Sequence, residues 1–135
     1  MKFIHYSTTK GLTSLNPAYA GTGACGEESK RSVKGVWLYP EQHEVEQIVK
    51  QVTKTRYLVD IPDNKILTQF SKEFDIICRS VRRYSTSPNW CDIFLREVKH
   101  RGYYAYRQIE GYDVTLALIV LEDIKEIGLE VVKCQ

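Results

Sequence analysis

Residues 102–110 read Gly-Tyr-Tyr-Ala-Tyr-Arg-Gln-Ile-Glu, and this stretch decides how the chain divides. It is dense in aromatic residues, opens on Gly102 and runs into Gly111, the composition and punctuation of a strand over Tyr103–Ile109. Two further apolar runs follow, Val114–Val120 and Leu129–Val132, and both read as strands. The chain therefore ends strand-rich. Working back from there, Trp90, Ile93, Phe94 and Val98 mark a helix that ends at Gly102, capped at its start by the polar break Ser85–Asn89. Before it, Ile66, Leu67, Phe70, Phe74, Ile77, Cys78 and Val81 recur three or four residues apart, which predicts one amphipathic helix. Residues 56–61 and Gly35–Tyr39 have strand composition, as does the opening stretch, residues 2–7. Between these strands, Val45, Ile48, Val49 and Val52 share a helical face after Glu41 and Glu44. Strands segregated in this way predict one α+β domain over 1–135, with about three helices, rather than a doubly wound parallel sheet.

Bulk properties narrow the classes. The chain has 135 residues, 43% hydrophobic and 27% charged, enough for one buried core. A formal charge of +2 is too near neutral to make nucleic acid or membrane the main partner. No signal peptide is read after Phe3-Ile4, and Val114–Leu121 is too short to span a bilayer. The expectation is a soluble, cytoplasmic protein with no membrane partner. Cys25, Cys78, Cys91 and Cys134 are scattered without a CxxC or a Cys/His pair, so four reduced thiols and no metal site are expected.

Several residues carry candidate chemistry. Gln108 and Glu110 lie two apart along a strand and so share a face. With regular alternation, Tyr104 and Tyr106 join them, while Tyr103, Ala105 and Arg107 point the other way. An amide and a carboxylate in line with two rings can bind a sugar hydroxyl or a developing cation. The plainer alternative is an edge strand with a solvated polar face. Trp37 and Tyr39 also share a face, either as core packing or as walls for a planar heterocycle. Five of the eight glycines lie between Gly11 and Gly35. Within that stretch, Gly21–Gly26 has GxGxxG spacing but lacks the strand before and helix after that a dinucleotide fold needs. Backbone amides around Gly23 can still meet phosphate oxygens, with Arg31 adding charge, or the stretch is an ordinary surface loop. His43 and His100 read as surface residues, and Arg79, Arg82 and Arg83 as a solvated helix face. His5, at the end of the first strand, is either exposed or aimed at a ligand.

Taken in order, His5-Tyr6-Ser7, Leu15-Asn-Pro17, Gly21–Gly26, Gly-Val-Trp-Leu-Tyr39 and Gly102–Glu110 resemble the ADP-ribosyltransferase superfamily, in particular its small phage- and mobile-element-borne domains. The resemblance covers nearly the whole chain. It implies a split β-sheet core and NAD as the substrate that donates ADP-ribose. It implies that His5 donates to the NAD ribose and that the backbone of Tyr6 and Ser7 holds the nicotinamide amide. Trp37, with Tyr39 as alternate, would stack on nicotinamide. Gln108 and Glu110 resemble the family's Q-x-E variant: Glu110 is the catalytic carboxylate, with Asp113 as its alternative, and Gln108 helps select the acceptor. Such a carboxylate stabilises positive charge that builds on the ribose as the nicotinamide bond breaks. The implied function is mono-ADP-ribosylation of a host protein by a phage effector, anti-defence protein or toxin, with nucleic acid the lesser acceptor. The alternatives are an NAD glycohydrolase and a catalytically silent member that grips a partner protein.

Overall fold

A computed structural model describes residues 1–7, 9–16, 36–41, 55–110 and 115–134, with the side chains of Glu110 and of residues 115–119 outside that description. The described chain is α+β. Its strands are β1 (Lys2–Ser7), β2 (Val36–Pro40), β3 (Thr55–Asp60), β4 (Ile66–Thr68), β5 (Ala105–Glu110), β6 (Thr115–Val120) and β7 (Val132–Lys133). Two α-helices, α1 (Lys72–Ser80) and α2 (Trp90–His100), lie between β4 and β5. The helix expected over 41–52 and the glycine-rich stretch, with Gly23, Cys25 and Arg31, lie outside the described residues.

All seven strands form one sheet in the order β4-β5-β6-β2-β1-β3-β7. Every pairing is antiparallel except β4 with β5, which is parallel. The join between β1 and β2 is short: Phe3 faces Pro40 and Ile4 faces Tyr39, whereas β1 pairs with β3 over all six residues from Lys2 to Ser7. The sheet is thus two halves meeting at a narrow seam. They cannot lie flat. β3 and β4 stand five positions apart, about 24 Å at normal strand spacing, yet residues 61–65 connect them. Six Cα steps reach at most about 21 Å, and a 3-10 turn at Asp63–Lys65 shortens that further. The sheet must curl, bringing its two halves toward each other over one face.

That inner face holds one core. Phe3 and Val59 from one half pack with Leu38, Ala105 and Val120 from the other, sealed by Leu15 and Ile124. The opposite face carries the helices: Leu67 and Tyr106 from the sheet bury against Ile77 of α1, Val81 at its C-terminal cap, and Phe94 and Val98 of α2. Strand alternation distributes side chains between the two. Val36 and Leu38 go inward and Trp37 to the helix face; Ala105 goes inward and Tyr106 outward.

Three sequence expectations change. The run from Ile66 to Val81 is not one helix, because Ile66–Thr68 pairs with Ala105–Arg107 as a strand. Leu67 reaches the outer core only through that pairing, and apolar runs this short satisfy both periods. The helix starts instead at Ser71, whose Oγ accepts from the Phe74 amide at 3.2 Å. The final strand is Val132–Lys133, while Leu129 and Val131 pack against the inner core. Tyr104 does not share a face with Tyr106. The chain bends there, so Tyr104 packs on the inner core and Tyr103 on the outer one.

Candidate functional site

The strand that carries Gln108 and Glu110 is interior to the sheet, flanked by β4 and β6, so the reading of it as a solvated edge is corrected. Gln108 shares the helix face with Tyr106, two residues before it. Register lays a row of residues across that face: Gln108 pairs with Ala117. One step further, continuing the β2–β6 register, stands Tyr39, which pairs with Ile4. Tyr6 turns its ring edge to Tyr39, with centroids 6.0 Å apart at 67°. Burial raises the Tyr6 hydroxyl above its usual range, opposed in part by the Arg56 charge. The structure therefore collects Gln108, Tyr39, Tyr6 and Trp37 on one face. Glu110 pairs with Thr115 by register, which places it two positions beyond Gln108 on the same strand. Gln108 has one chemical peculiarity. Its Oε1 is buried and meets no hydrogen-bond partner among the described residues, a cost the fold bears unless something donates to it.

His5 and Ser7 stand apart from this group. Phe3 is in the inner core, so His5 and Ser7, at the same parity, point to the inner face, away from Trp37 and Tyr39. Ser7 Oγ accepts from the Thr9 amide at 3.0 Å. His5 sits where β1 and β2 diverge, and its Nδ1 lies 3.0 Å from the Trp37 carbonyl oxygen. A carbonyl only accepts, so Nδ1 carries the proton and Nε2 of the neutral ring is an acceptor. Burial lowers the His5 pKa below its ordinary value, with the Trp37 carbonyl opposing, which keeps the ring neutral. The side chain closes the seam with a bond the strand ladder no longer makes. Trp37 itself packs beside the outer core.

Two residues beside these were not among the candidate site residues read from the sequence. Gln69 ties the end of β4 to β5: its amide donates to the Arg107 carbonyl at 2.9 Å, and its Oε1 accepts from the Ile109 amide at 3.0 Å. Those contacts bracket Gln108. Phe70 follows with φ of +68°, the non-glycine residue with positive φ among those described, and its side chain is 70% exposed. It touches Phe74 edge-on at 5.8 Å, and Phe74 stacks on Tyr106 at 6.2 Å and 12°. A pattern rule could have flagged it. Phe70 precedes the capping Ser71, but the position four into the helix is Asp75, so it lacks the apolar partner of a hydrophobic staple.

Arg107 points to the inner face, where burial lowers its pKa and the Asp63 charge opposes; its buried Nε also meets no partner among the described residues. A shallow depression of about 340 Å³ flanks β4, lined by Asn64, Ile66, Thr68, Ser71 and Tyr103 among others, and Gln108, Trp37, Tyr39 and His5 are not among its lining residues. Among the described residues no group of three or more His, Cys, Asp or Glu is placed to share a metal ion, and no helix is long and apolar enough to cross a membrane. Comparison with protein-family models, with curated proteins and with solved structures finds no match for this chain.

Proposed function

We propose that this domain transfers ADP-ribose from NAD to a protein acceptor, in the manner of a mono-ADP-ribosyltransferase acting as a phage effector, anti-defence protein or toxin inside the host cell. The observation that carries the reading is Gln108. Its buried Oε1, which meets no partner among the described residues, lies two residues before Glu110, on a face shared with Tyr39, Tyr6 and Trp37. An amide oxygen left without a donor fits a ligand that brings an N–H or O–H group, and NAD brings both. NAD would supply the ADP-ribosyl group and the nicotinamide that leaves. Glu110 is the carboxylate that stabilises positive charge at the ribose, an effect strengthened wherever water is kept out. Gln108 holds a donor group of the ligand or acceptor in line with it, and the aromatic rings on the same face supply a flat apolar wall.

His5 does not fit the role its motif implies. Neutral, and with Nδ1 committed to the Trp37 carbonyl, it has no proton on Nε2 to give a ribose hydroxyl. Its part in this reading is to hold the seam. The same observation favours a second reading, in which the domain keeps the fold to grip a partner protein without catalysis. Biotinylated NAD incubated with the protein and a host lysate separates the readings. A labelled band that Glu110→Gln reduces at least about 10²-fold supports transfer. Free ADP-ribose without a band means hydrolysis, and neither product means a binding module. Transfer by Glu110→Gln at the wild-type rate would overturn the assignment of the carboxylate.

A further inference from the structure

The outer edge of β4 presents one backbone acceptor and one backbone donor. The Lys65 carbonyl accepts from the Tyr104 amide at 2.8 Å, and the Gln69 amide donates to the Arg107 carbonyl at 2.9 Å. Alternate residues 65, 67 and 69 therefore turn their backbone groups to β5. Ile66 and Thr68 turn theirs the other way, to the side where no described strand pairs. Two of those four groups are engaged locally. The Ile66 amide donates to the Asp63 carbonyl in the 3-10 turn, and the Thr68 carbonyl accepts from the Ser71 amide at 3.2 Å. The Ile66 carbonyl and the Thr68 amide remain, two residues apart and unmatched among the described residues.

That remainder has a direction. In a parallel pair, one residue donates to the carbonyl before its partner and accepts from the amide after it. In an antiparallel pair it exchanges both bonds with a single residue. The Ile66 carbonyl and the Thr68 amide flank Leu67, so they fit one residue of an extended chain laid parallel to β4 and opposite Leu67. An antiparallel chain would need both groups of Ile66 or both of Thr68, and each residue has one already engaged. Directly paired residues keep the same side of a sheet, and Leu67 points to the helix face. The side chain of the incoming residue points there too.

Beside this edge lies the depression of about 340 Å³, with Leu67, Ser71, Glu73 and Tyr103 in its lining together with Asn64 and Thr68. That lining is rich in acceptors: the Asn64 amide oxygen, the Thr68 and Ser71 hydroxyls and the Glu73 carboxylate. Glu73 is exposed and takes part in none of the ion pairs among the described residues. Tyr103 adds an aromatic wall, which also suits a cation. An acidic side chain would meet Glu73 as a like charge, and an apolar one would gain nothing from it. We infer that the edge of β4 is a docking site for an extended segment of a partner protein, running parallel to β4 and placing a lysine or arginine side chain in the depression against Glu73. Main-chain bonds hold the segment, and the depression selects its side chain. The site is separate from Glu110: Ile66 pairs with Ala105, five positions earlier on β5 and so about 17 Å away along the strand. It goes beyond the transfer reaction proposed above and does not rest on it.

The test titrates the full, isotopically labelled chain with the capped pentapeptide Ac-Ser-Val-Lys-Val-Ser-NH2, and with versions carrying glutamate, leucine or N-methyl-lysine at the centre. Amide chemical shifts follow binding. The lysine peptide is expected to shift the Thr68 amide and to bind more tightly than the glutamate peptide. N-methylation removes the donor to the Ile66 carbonyl and should weaken binding about tenfold. Glu73→Gln, an exposed substitution, should weaken the lysine peptide about threefold and leave the leucine peptide unchanged. A nitroxide on the N-terminus of the lysine peptide should broaden the amides of Asn64 and Lys65. Broadening at Phe70 and Ser71 instead would mean the opposite strand direction and overturn the inference. No shift at Thr68 with millimolar lysine peptide, equal binding of the lysine and glutamate peptides, or full binding by the N-methyl peptide would each overturn it as well. NAD turnover recorded on the same samples keeps the two proposals apart: turnover without docking removes the docking site alone, and docking without turnover removes the transferase reading alone.

Discussion

Replacing His5 distinguishes a seam clasp from a ligand donor, because asparagine and glutamine each preserve one half of the imidazole. The amide nitrogen of asparagine lies as many bonds from the backbone as Nδ1, and that of glutamine as many as Nε2. His5→Ala removes the bond to the Trp37 carbonyl and leaves that part-buried oxygen unmet. A net hydrogen bond is worth about 1 kcal/mol, and the unsatisfied carbonyl adds about another, so the loss is about 2 kcal/mol. For a chain of 135 residues, the unfolding entropy near the melting point is about 0.28 kcal/mol per degree, and the shift is about 7 °C. His5→Asn should recover most of it and His5→Gln little. The assay is thermal unfolding of the four proteins, with hydrogen exchange at the amides of 36–38 as a local readout. If the clasp is right, alanine and glutamine both speed exchange in β2, and asparagine restores protection. Equal melting temperatures for alanine and asparagine variants would refute the clasp. NAD affinity rescued by glutamine but not by asparagine would return His5 to the ligand.

Two further outcomes follow from the same geometry. The His5 pKa is lowered in the fold by burial, so between its ordinary value of 6.5 and the depressed one the unfolded chain binds the extra proton. Stability should be level in this respect above about pH 7.5 and fall as pH drops below about 6.5; urea midpoints across that range should show a slope that His5→Asn lacks. Tyr57 is fully buried, and its hydroxyl accepts from the Leu12 amide at 3.1 Å and donates to the Thr9 carbonyl at 2.7 Å. Tyr57→Phe keeps the ring and strands both groups, so it should cost about 2 kcal/mol and speed exchange at Leu12, and an unchanged melting temperature would show that residues 9–12 are not held by this hydroxyl.

What the sequence made legible was what each residue says about its own strand or helix. The strands at 2–7 and around Trp37, Arg56, Tyr106 and Leu118 are read from composition within a residue or two of their observed ends, because alternation along a strand is a local property. The pairing of Ile66–Thr68 with β5 was not legible. Ile66 and Leu67 fit the helical period of the segment that follows, and only the distant partner Ala105–Arg107 decides between the two. The bend at Tyr104 was hidden for a related reason. Four aromatic or small residues in a row at 103–106 satisfy alternation in either phase, and the two cores, not the chain, set which phase wins.

The site shows the same division between local and non-local information. A spacing of two predicts a shared face for Gln108 and Glu110, as it does for Trp37 and Tyr39. Whether those two faces are the same face depends on how many strands lie between them and in which direction each runs. Here β6 intervenes, antiparallel to both β5 and β2, so directly paired residues keep the same side and the Gln108 row reaches Tyr39. His5 fails the same test by a single residue: Ile4 stands opposite Tyr39, and its neighbour must therefore face the other way. The motif His5-Tyr6-Ser7 asks a side chain of His5 and backbone of Tyr6 and Ser7, and along the strand the His5 and Ser7 side chains lie on one surface and that of Tyr6 on the other. Tyr6 can belong to the Gln108 face and His5 to the inner one, and no single flat ligand on either face meets both side chains. The histidine is kept at the seam by a backbone carbonyl, so its fitness is measured in the distance between two half-sheets, and any effect it has on a ligand at Gln108 must pass through the position of Trp37.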